Sequence, residues 1–380
     1  MNNKTKDLKS EAYESYIKRI SQETIPAYEP SVGQEELTLL TDVINSNWLS
    51  EGKYVRRFEE DLRLICGRDY ALAFSNCTAA LITGMKGLGL GDGDEVIVQS
   101  LVHSADPNSI AATGATPVFA DVDRESLCLS VEQIDRARTL NTKAVLYVSL
   151  YGNASELEFI QQYCNDNKLY LINDCAPALF GKYKGDSIAS YGDFSTLSFF
   201  ADKTITTGEG GMLLTNKIDL IEECNIYKHD GRKERGVDVI QRKGFNYRLT
   251  ELQAAVGVAQ FKKRSVFIKK KKNNYNLFCQ LFENIDQVNV FKFCNEGDIV
   301  PHRNIIFVPD AEKLISFLVS EGIGARSLFM PMHSQPCYNE KHKFPNTEKL
   351  FKTGVCLPSA PSLSEENISY IASKVISFYR

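Results

Sequence analysis

Apolar residues along this chain follow two alternating rhythms. Short, nearly continuous apolar runs recur at residues 71–74, 95–98, 117–120, 144–148, 169–172, 196–200 and 212–214. Elsewhere the apolar positions fall three and four apart, as at Leu37, Leu40, Val43 and Ile44 within 33–46, and again in 157–164. The first rhythm predicts strands buried on both faces and the second predicts amphipathic helices. Their alternation predicts an α/β domain whose mostly parallel central sheet is covered by helices on both sides. From about residue 262 the character changes to a long stretch rich in Lys and Phe, then a strand-like run at 305–308 and a helix around 312–321. That pattern suits a smaller C-terminal α/β domain. The expected division is an N-terminal extension at 1–24, a large domain at 25–262 and a small domain at 263–380. Within the extension, Tyr13, Tyr16 and Ile17 stand at near-helical spacing among charged residues.

Composition narrows the function classes. A chain of 380 residues can bury a large core, and its net charge of -4 carries no basic excess, which argues against nucleic acid as a partner. The one basic block, 269–272, reads as a solvated helix face or an anion site. Ten cysteines occur without a C-x-x-C pair or zinc spacing, and no H-E-x-x-H is present, so no metal is expected. Residues 1–10 are polar and lack the apolar core of a signal peptide, and no run approaches ~18 apolar residues. A reducing cytoplasm with free thiols is the expected compartment. The glycines at 87, 89, 91 and 93 do not meet the G-x-G-x-x-G spacing and follow a helix, so they predict a turn instead of a dinucleotide site.

Two residues carry the candidate chemistry. Lys203 lies between an apolar run and a glycine-rich turn in 198–212, and a lysine amine can attack a carbonyl carbon to form a Schiff base. Asp174 ends the apolar run 169–172, and in an open α/β sheet ligands collect at the carboxyl ends of strands, where an aspartate can pair with a ring nitrogen. The 29 positions between them (203 minus 174) suffice for one crossover, so both can face one crevice. Together they supply what pyridoxal 5'-phosphate (PLP) requires. Taken singly, each also fits a bland role, as a solvated lysine or a turn aspartate. Likewise 75–77 opens a helix through about residue 88, and its hydroxyl and amide groups suit either an ordinary cap or a phosphate site.

The phrases at 198–212 and 244–255 resemble the DegT/StrS family of PLP-dependent sugar aminotransferases, and the resemblance runs from about Ile25 onward. It implies the fold-type I PLP-dependent architecture and assigns Lys203 and Asp174 as catalytic residues. It also implies that Thr78, Ala79 and Ser198 hold the phosphate and that the His103 ring stacks over the cofactor. Asn246 and Arg248 match residues that reach across a homodimer toward the neighbour's phosphate region. The loop of Trp48 lies near the active site in the family, and Arg326 and His333 fall in a segment near its substrate cleft. The implied reaction is a ping-pong transfer from an amino acid, L-glutamate, to a nucleotide-linked keto sugar, a 4-keto-6-deoxy hexose aminated at C4. The product would serve a surface polysaccharide such as the O-antigen of lipopolysaccharide. A 3-aminotransferase, another PLP enzyme of this fold and a non-catalytic regulatory descendant are the alternatives, and Lys203 argues against the branch of dehydratases that carries histidine there.

Three positions depart from the family pattern. Cys77 replaces a glycine at the phosphate turn, Pro177 replaces a polar residue that reaches the cofactor's 3'-oxygen, and Ser149 replaces a histidine before Leu-Tyr-Gly.

Overall fold

The computed structural model describes residues 24–234 and 236–380, so the expected extension lies outside the described residues apart from Thr24. The elements of the large lobe run α1 (Gln34–Ser46), α2 (Lys53–Cys66), β1 (Tyr70–Phe74), α3 (Cys77–Gly87), β2 (Glu95–Gln99), α4 (Ala105–Thr113), β3 (Thr116–Ala120), α5 (Val131–Ala137), β4 (Thr142–Val148), α6 (Leu157–Asp166) and β5 (Tyr170–Asp174). A short hairpin, β6 (Lys182–Tyr183) and β7 (Asp186–Ser187), precedes β8 (Phe194–Ser198), β9 (Gly211–Thr215) and α7 (Ile218–Lys228). Helix α8 (Glu251–Phe282) then leads into β10 (Asn289–Val290), β11 (Gly297–Asp298), β12 (Asn304–Phe307), α9 (Ala311–Ser320), β13 (Arg326–Ser327), α10 (Pro345–Thr353), β14 (Gly354–Leu357) and α11 (Glu365–Phe378).

The central sheet has seven strands in the order β1-β9-β8-β5-β4-β2-β3. Strands β3, β2, β4, β5 and β8 are parallel neighbours. Strand β9 runs antiparallel to both β8 and β1. The mostly parallel α/β expectation therefore holds, with β9 as its one inverted strand. Alternate side chains of β4 and β5 enter opposite cores, as a period of two requires. Tyr147 and Leu171 join Phe58, Leu62, Phe199 and Met212 on one face. Leu146 and Ile172 join Phe74, Leu81, Met85, Phe194 and Leu213 on the other. Burying a side chain such as Phe58 completely contributes about 1.5–3 kcal/mol, so the two layers fix the sheet between its helices.

Helix α8 starts at a reciprocal cap. Thr250 Oγ1 accepts from the Gln253 amide at 3.3 Å, and Gln253 Oε1 accepts from the Thr250 amide at 3.1 Å. The helix continues without a break past residue 262 and ends in the core of the small lobe, where Phe278 and Phe282 meet Leu314, Leu318, Ile368 and Ile371. Ile25 belongs to that same core and forms a parallel bridge with Ile323, so the start of the expected large domain packs on the small lobe. The small lobe's sheet has the order β10-β12-β14-β13 and is antiparallel throughout.

Candidate active site

The parallel pairing of β5 with β8 sets Asp174, at the carboxyl end of β5, beside Thr196 in the middle of β8. Asp174 is 4% exposed. Its Oδ1 accepts from Thr196 Oγ1 at 2.8 Å and from the Ala176 amide at 3.0 Å, with Cys77 Sγ at 3.6 Å. Burial pushes the Cys77 thiol well up, so it stays a donor beside this carboxylate. Among the described residues no amide, hydroxyl or thiol donates to Asp174 Oδ2, and the side chain lines a cavity of about 450 Å³.

Lys203 lines the same cavity from the loop between β8 and β9. That loop is laced to itself: the Phe199 amide donates to Gly210 O at 2.9 Å, and the Phe199 carbonyl accepts from the Thr207 amide and Thr206 Oγ1, each at 2.9 Å. Lys203 Nζ lies 3.5 Å from Oδ1 of Asp202. Asp202 Oδ2 pairs with Arg303 and stands 3.7 Å from His302 Nε2. Burial alone would raise the Asp202 carboxyl, but the Lys203 charge, His302 and Arg303 outweigh it and hold the group far below the usual carboxylate range. Burial, reinforced by the Lys203 and Arg303 charges, keeps His302 neutral.

Thr78 and Cys77 bring the start of α3 to the cavity. Asn76 Oδ1 accepts from the Ala79 amide at 2.8 Å, so Ala79 itself serves the cap and does not line the cavity. The Cys77 and Thr78 amides make no hydrogen bond among the described residues. Ser198 Oγ accepts weakly from the Phe200 amide at 3.3 Å and lines the cavity as well. Free amides, a helix N-terminus and a hydroxyl together form an anion cradle. His103 borders the cavity, its Nδ1 accepting from the Ala105 amide at 3.1 Å and its ring 5.5 Å from that of Phe329. Partial burial and then the Lys203 charge lower its basicity, so a neutral ring faces the cavity. Tyr151 stacks on Phe329 at 5.5 Å and adopts φ 56°, a left-handed conformation rarely tolerated by a side chain of this size.

These residues fit PLP on the structure's own terms. The Asp174 carboxylate suits the ring nitrogen, the cradle at α3 suits the phosphate, and an amine lies in the same cavity. Pro177 also borders it and offers no donor there.

Other expected residues lie elsewhere in the chain. Trp48 and Arg248 line a separate cleft of about 820 Å³, where Trp48 Nε1 donates to Glu51 O at 3.0 Å and Arg248 pairs with Asp230 at 2.8 Å. Asn246 bridges to His229 at its edge. His333 is turned inward by a tight turn, with Nδ1 2.6 Å from Ser100 Oγ, and does not line the Lys203 cavity; Arg326 does. Ser149 is fully buried and also outside the lining. Conversely, sequence reasoning passed over Asp106, Thr196, Asp202, His302 and Arg303. Asp202 adjoins the lysine, and His302 and Arg303 interrupt an apolar stretch just before β12, the two signals that could have drawn attention to them. Among the described residues, no group of three or more His, Cys, Asp or Glu is placed to hold a metal ion.

Comparison with known proteins agrees with this geometry. Residues 30–376 match the family described as DegT/DnrJ/EryC1/StrS aminotransferases. The chain is 37% identical to GDP-perosamine synthase of Escherichia coli O157:H7, covering 93% of this chain and 98% of that one. It is 36% identical to GDP-perosamine synthase of Vibrio cholerae, covering 93% and 99%. Among solved structures, Helicobacter pylori PseC, an aminotransferase involved in the biosynthesis of pseudoaminic acid, superimposes with a TM-score of 0.89 at 25% identity over 93% of this chain and 98% of that one.

Proposed function

The chain belongs to the DegT/DnrJ/EryC1/StrS aminotransferase family, and from that membership we propose that it transfers the amino group of L-glutamate to C4 of a nucleotide-linked 4-keto-6-deoxy hexose. The enzyme is a PLP-dependent aminotransferase acting on nucleotide sugars. Similarity to the two GDP-perosamine synthases makes GDP the first nucleotide to test and a surface polysaccharide, such as the O-antigen of lipopolysaccharide, the destination of the product.

The carrying observation is that Lys203 and the Asp174 carboxylate share one cavity with the anion cradle at α3. When bound, PLP supplies a conjugated ring that accepts the electron pair left on carbon as a proton departs. Asp174 Oδ2 would hold the ring nitrogen, the α3 amides with Thr78 and Ser198 would hold the phosphate, and Lys203 would anchor the aldehyde carbon. Lys203 Nζ is also the base placed to take the proton from the donor's Cα, and Asp202 at 3.5 Å receives the resulting ammonium charge. The neutral His103 ring offers a flat face to the cavity, and Arg326 offers a charge to the anionic substrates.

A homodimer is part of this reading. Trp48, Leu49, Val239 and Ile240 are exposed apolar side chains (57%, 48%, 60% and 55%), and Trp48 lines the cleft that holds Arg248. A second copy covering this face would bring Asn246 and Arg248 toward the partner's phosphate cradle. The cytoplasm is the proposed compartment, supported by ten cysteines that are all free thiols. No helix of the described residues is long and apolar enough to cross a membrane.

The test is direct. The protein is loaded with PLP, reduced with borohydride and digested, and the purified enzyme is separately incubated with L-glutamate and GDP-4-keto-6-deoxymannose. Label on the Lys203 peptide, together with 2-oxoglutarate and a GDP-linked amino sugar, is expected, and Lys203→Ala should give none of these. Label without an amino sugar from GDP, UDP or dTDP keto sugars would overturn the substrate assignment, and no label would overturn the site.

A further inference from the structure

A further carboxyl group, on Asp106, lies in the cavity and has no part in the chemistry above. It belongs to the first turn of α4, is 1% exposed and lines the cavity beside Asp174. Its Oδ1 is fully buried, and no amide, hydroxyl or ammonium donor among the described residues reaches it. An acid so placed has either to be neutralised by a cation or to keep its proton. No ion pair reaches Asp106 among the described residues; the nearest charges are Asp174 at the end of β5 and Lys203 in the loop after β8, with the Cys77 thiol facing it from α3. The Asp174 carboxyl meets that of Asp106 at hydrogen-bonding range. Two carboxyl groups in such contact hold a hydrogen bond only when one of them is protonated, since both are otherwise acceptors.

We propose that Asp106 and Asp174 share a single proton, carried by Asp106 and donated to Asp174, so that the cofactor's ring nitrogen faces a carboxylic acid–carboxylate pair in place of a lone carboxylate. The proposal rests on the PLP site derived above for its consequence but not for its existence. Burial, and then the charge of Asp174, pushes Asp106 well above the ordinary aspartate value, against a smaller opposing pull from Lys203 and the backbone at the start of α4. Asp106 is a positioning residue in this arrangement. Its proton occupies part of the acceptor capacity of Asp174, and the pair keeps one negative charge in place of two.

The first test uses the cofactor-free protein and infrared difference spectroscopy near pH 8, about four units above the ordinary aspartate pKa. Subtracting the Asp106→Asn spectrum from that of the wild type removes contributions from other buried acids such as Glu59, which burial also raises. A carboxylic-acid band that shifts in heavy water is expected in the difference, and Asp174→Asn should move or abolish it. No such band, or a band indifferent to Asp174→Asn, overturns the sharing. Thermal melting adds a measure independent of spectroscopy. A folded-state value raised above the unfolded one gives stability that is full below about pH 4 and lost as the pH rises. Asp106→Asn should therefore melt higher than the wild type near pH 8, with the gap closing toward pH 4. Finally, because asparagine also donates and is also neutral, PLP should bind apo Asp106→Asn within about twofold of the wild type. A change beyond about fivefold, the equivalent of one ordinary hydrogen bond, would mean that Asp106 is charged in the loaded site. If the aminotransferase reading failed, the infrared result would still stand or fall alone.

Discussion

Lys203 Nζ stands 3.5 Å from Oδ1 of Asp202, the residue before it, and both side chains are largely withdrawn from solvent, at 15% and 12% exposed. The same carboxylate receives Arg303 from the small lobe's edge, 101 positions away in sequence. One aspartate thus joins the loop that carries Lys203 to the bend just before β12 in the small lobe. Movement of either lobe would be felt at the lysine.

Replacing Asp202 with Asn leaves the Lys203 and Arg303 charges without their shared counter-ion. Removing one member of a buried ion pair costs about 3–5 kcal/mol, and urea unfolding near neutral pH should show a loss of roughly 3 kcal/mol. Because the folded value of Asp202 is depressed, its contribution is complete above the unfolded value of about 3.9 and fades as the pH falls below it. The wild type and Asp202→Asn should converge in acid. A gap that stays constant through the acid range would show that Asp202 does not carry the charge assigned to it.

Thr196 fixes Oδ1 of Asp174 through a 2.8 Å hydrogen bond between neighbouring strands. Valine keeps the shape and removes the donor. Hydrogen bonds to charged groups are worth about 1.5–3 kcal/mol, so PLP should bind apo Thr196→Val at least about tenfold more weakly. Fluorescence titration with PLP measures this, and unchanged affinity would mean that Asp174 is held by its other partners alone.

Gly211 lies where β9 passes the turn that opens α3. A Cβ there would stand 2.4 Å from the Asn76 carbonyl carbon and 2.5 Å from the Cys77 amide nitrogen, both backbone atoms that cannot swing aside. Gly211→Ala should cost about 1–3 kcal/mol and weaken PLP binding as well, because the displaced turn is the proposed phosphate cradle. Gly91→Ala is the control: its nearest neighbour would be 3.7 Å away, and stability should change by no more than about 0.5 kcal/mol. Loss of stability with full PLP affinity would separate the turn from the cofactor.

The apolar runs announced the layers because strands buried on both faces have little choice of residue, and Asp174 was conspicuous as the acid that ends one of them. Lys203 was legible for the same reason, set between an apolar run and a glycine turn. The inversion of β9 was not, since 212–214 is as apolar as its parallel neighbours and direction leaves no mark on composition. Asp202 shows the deeper limit. Its partners His302 and Arg303 come from a bend about a hundred positions away, just before β12, and only the packing of two lobes brings them together. Trp48, Asn246 and Arg248 entered through resemblance, and within one chain they gather at a different cleft, where a second copy would have to complete their role.

Lys271 offers the most discriminating pH experiment. It lies on α8, fully enclosed, with Nζ donating to Ser359 O at 3.0 Å and more weakly to His302 O at 3.4 Å. Burial, and then the nearby Arg303 charge, brings its amine down to about 7. In the unfolded chain a lysine titrates near 10.4, so between about pH 7 and 10.4 the unfolded state binds the extra proton. Stability from this group is full above the unfolded value and is lost as the pH falls through the window, with a slope of up to about 1.4 kcal/mol per pH unit. Lys271→Met cannot titrate, so its stability should vary less steeply between about pH 7 and pH 9.5 in urea unfolding followed by circular dichroism. The variant should also be the less stable of the two at the alkaline end, where the wild-type amine is neutral and still holds both carbonyls. Equal slopes would mean that Lys271 keeps its proton when folded, and the Asp202 carboxylate would then have to balance three nearby cations, Lys203, Arg303 and Lys271, in place of two.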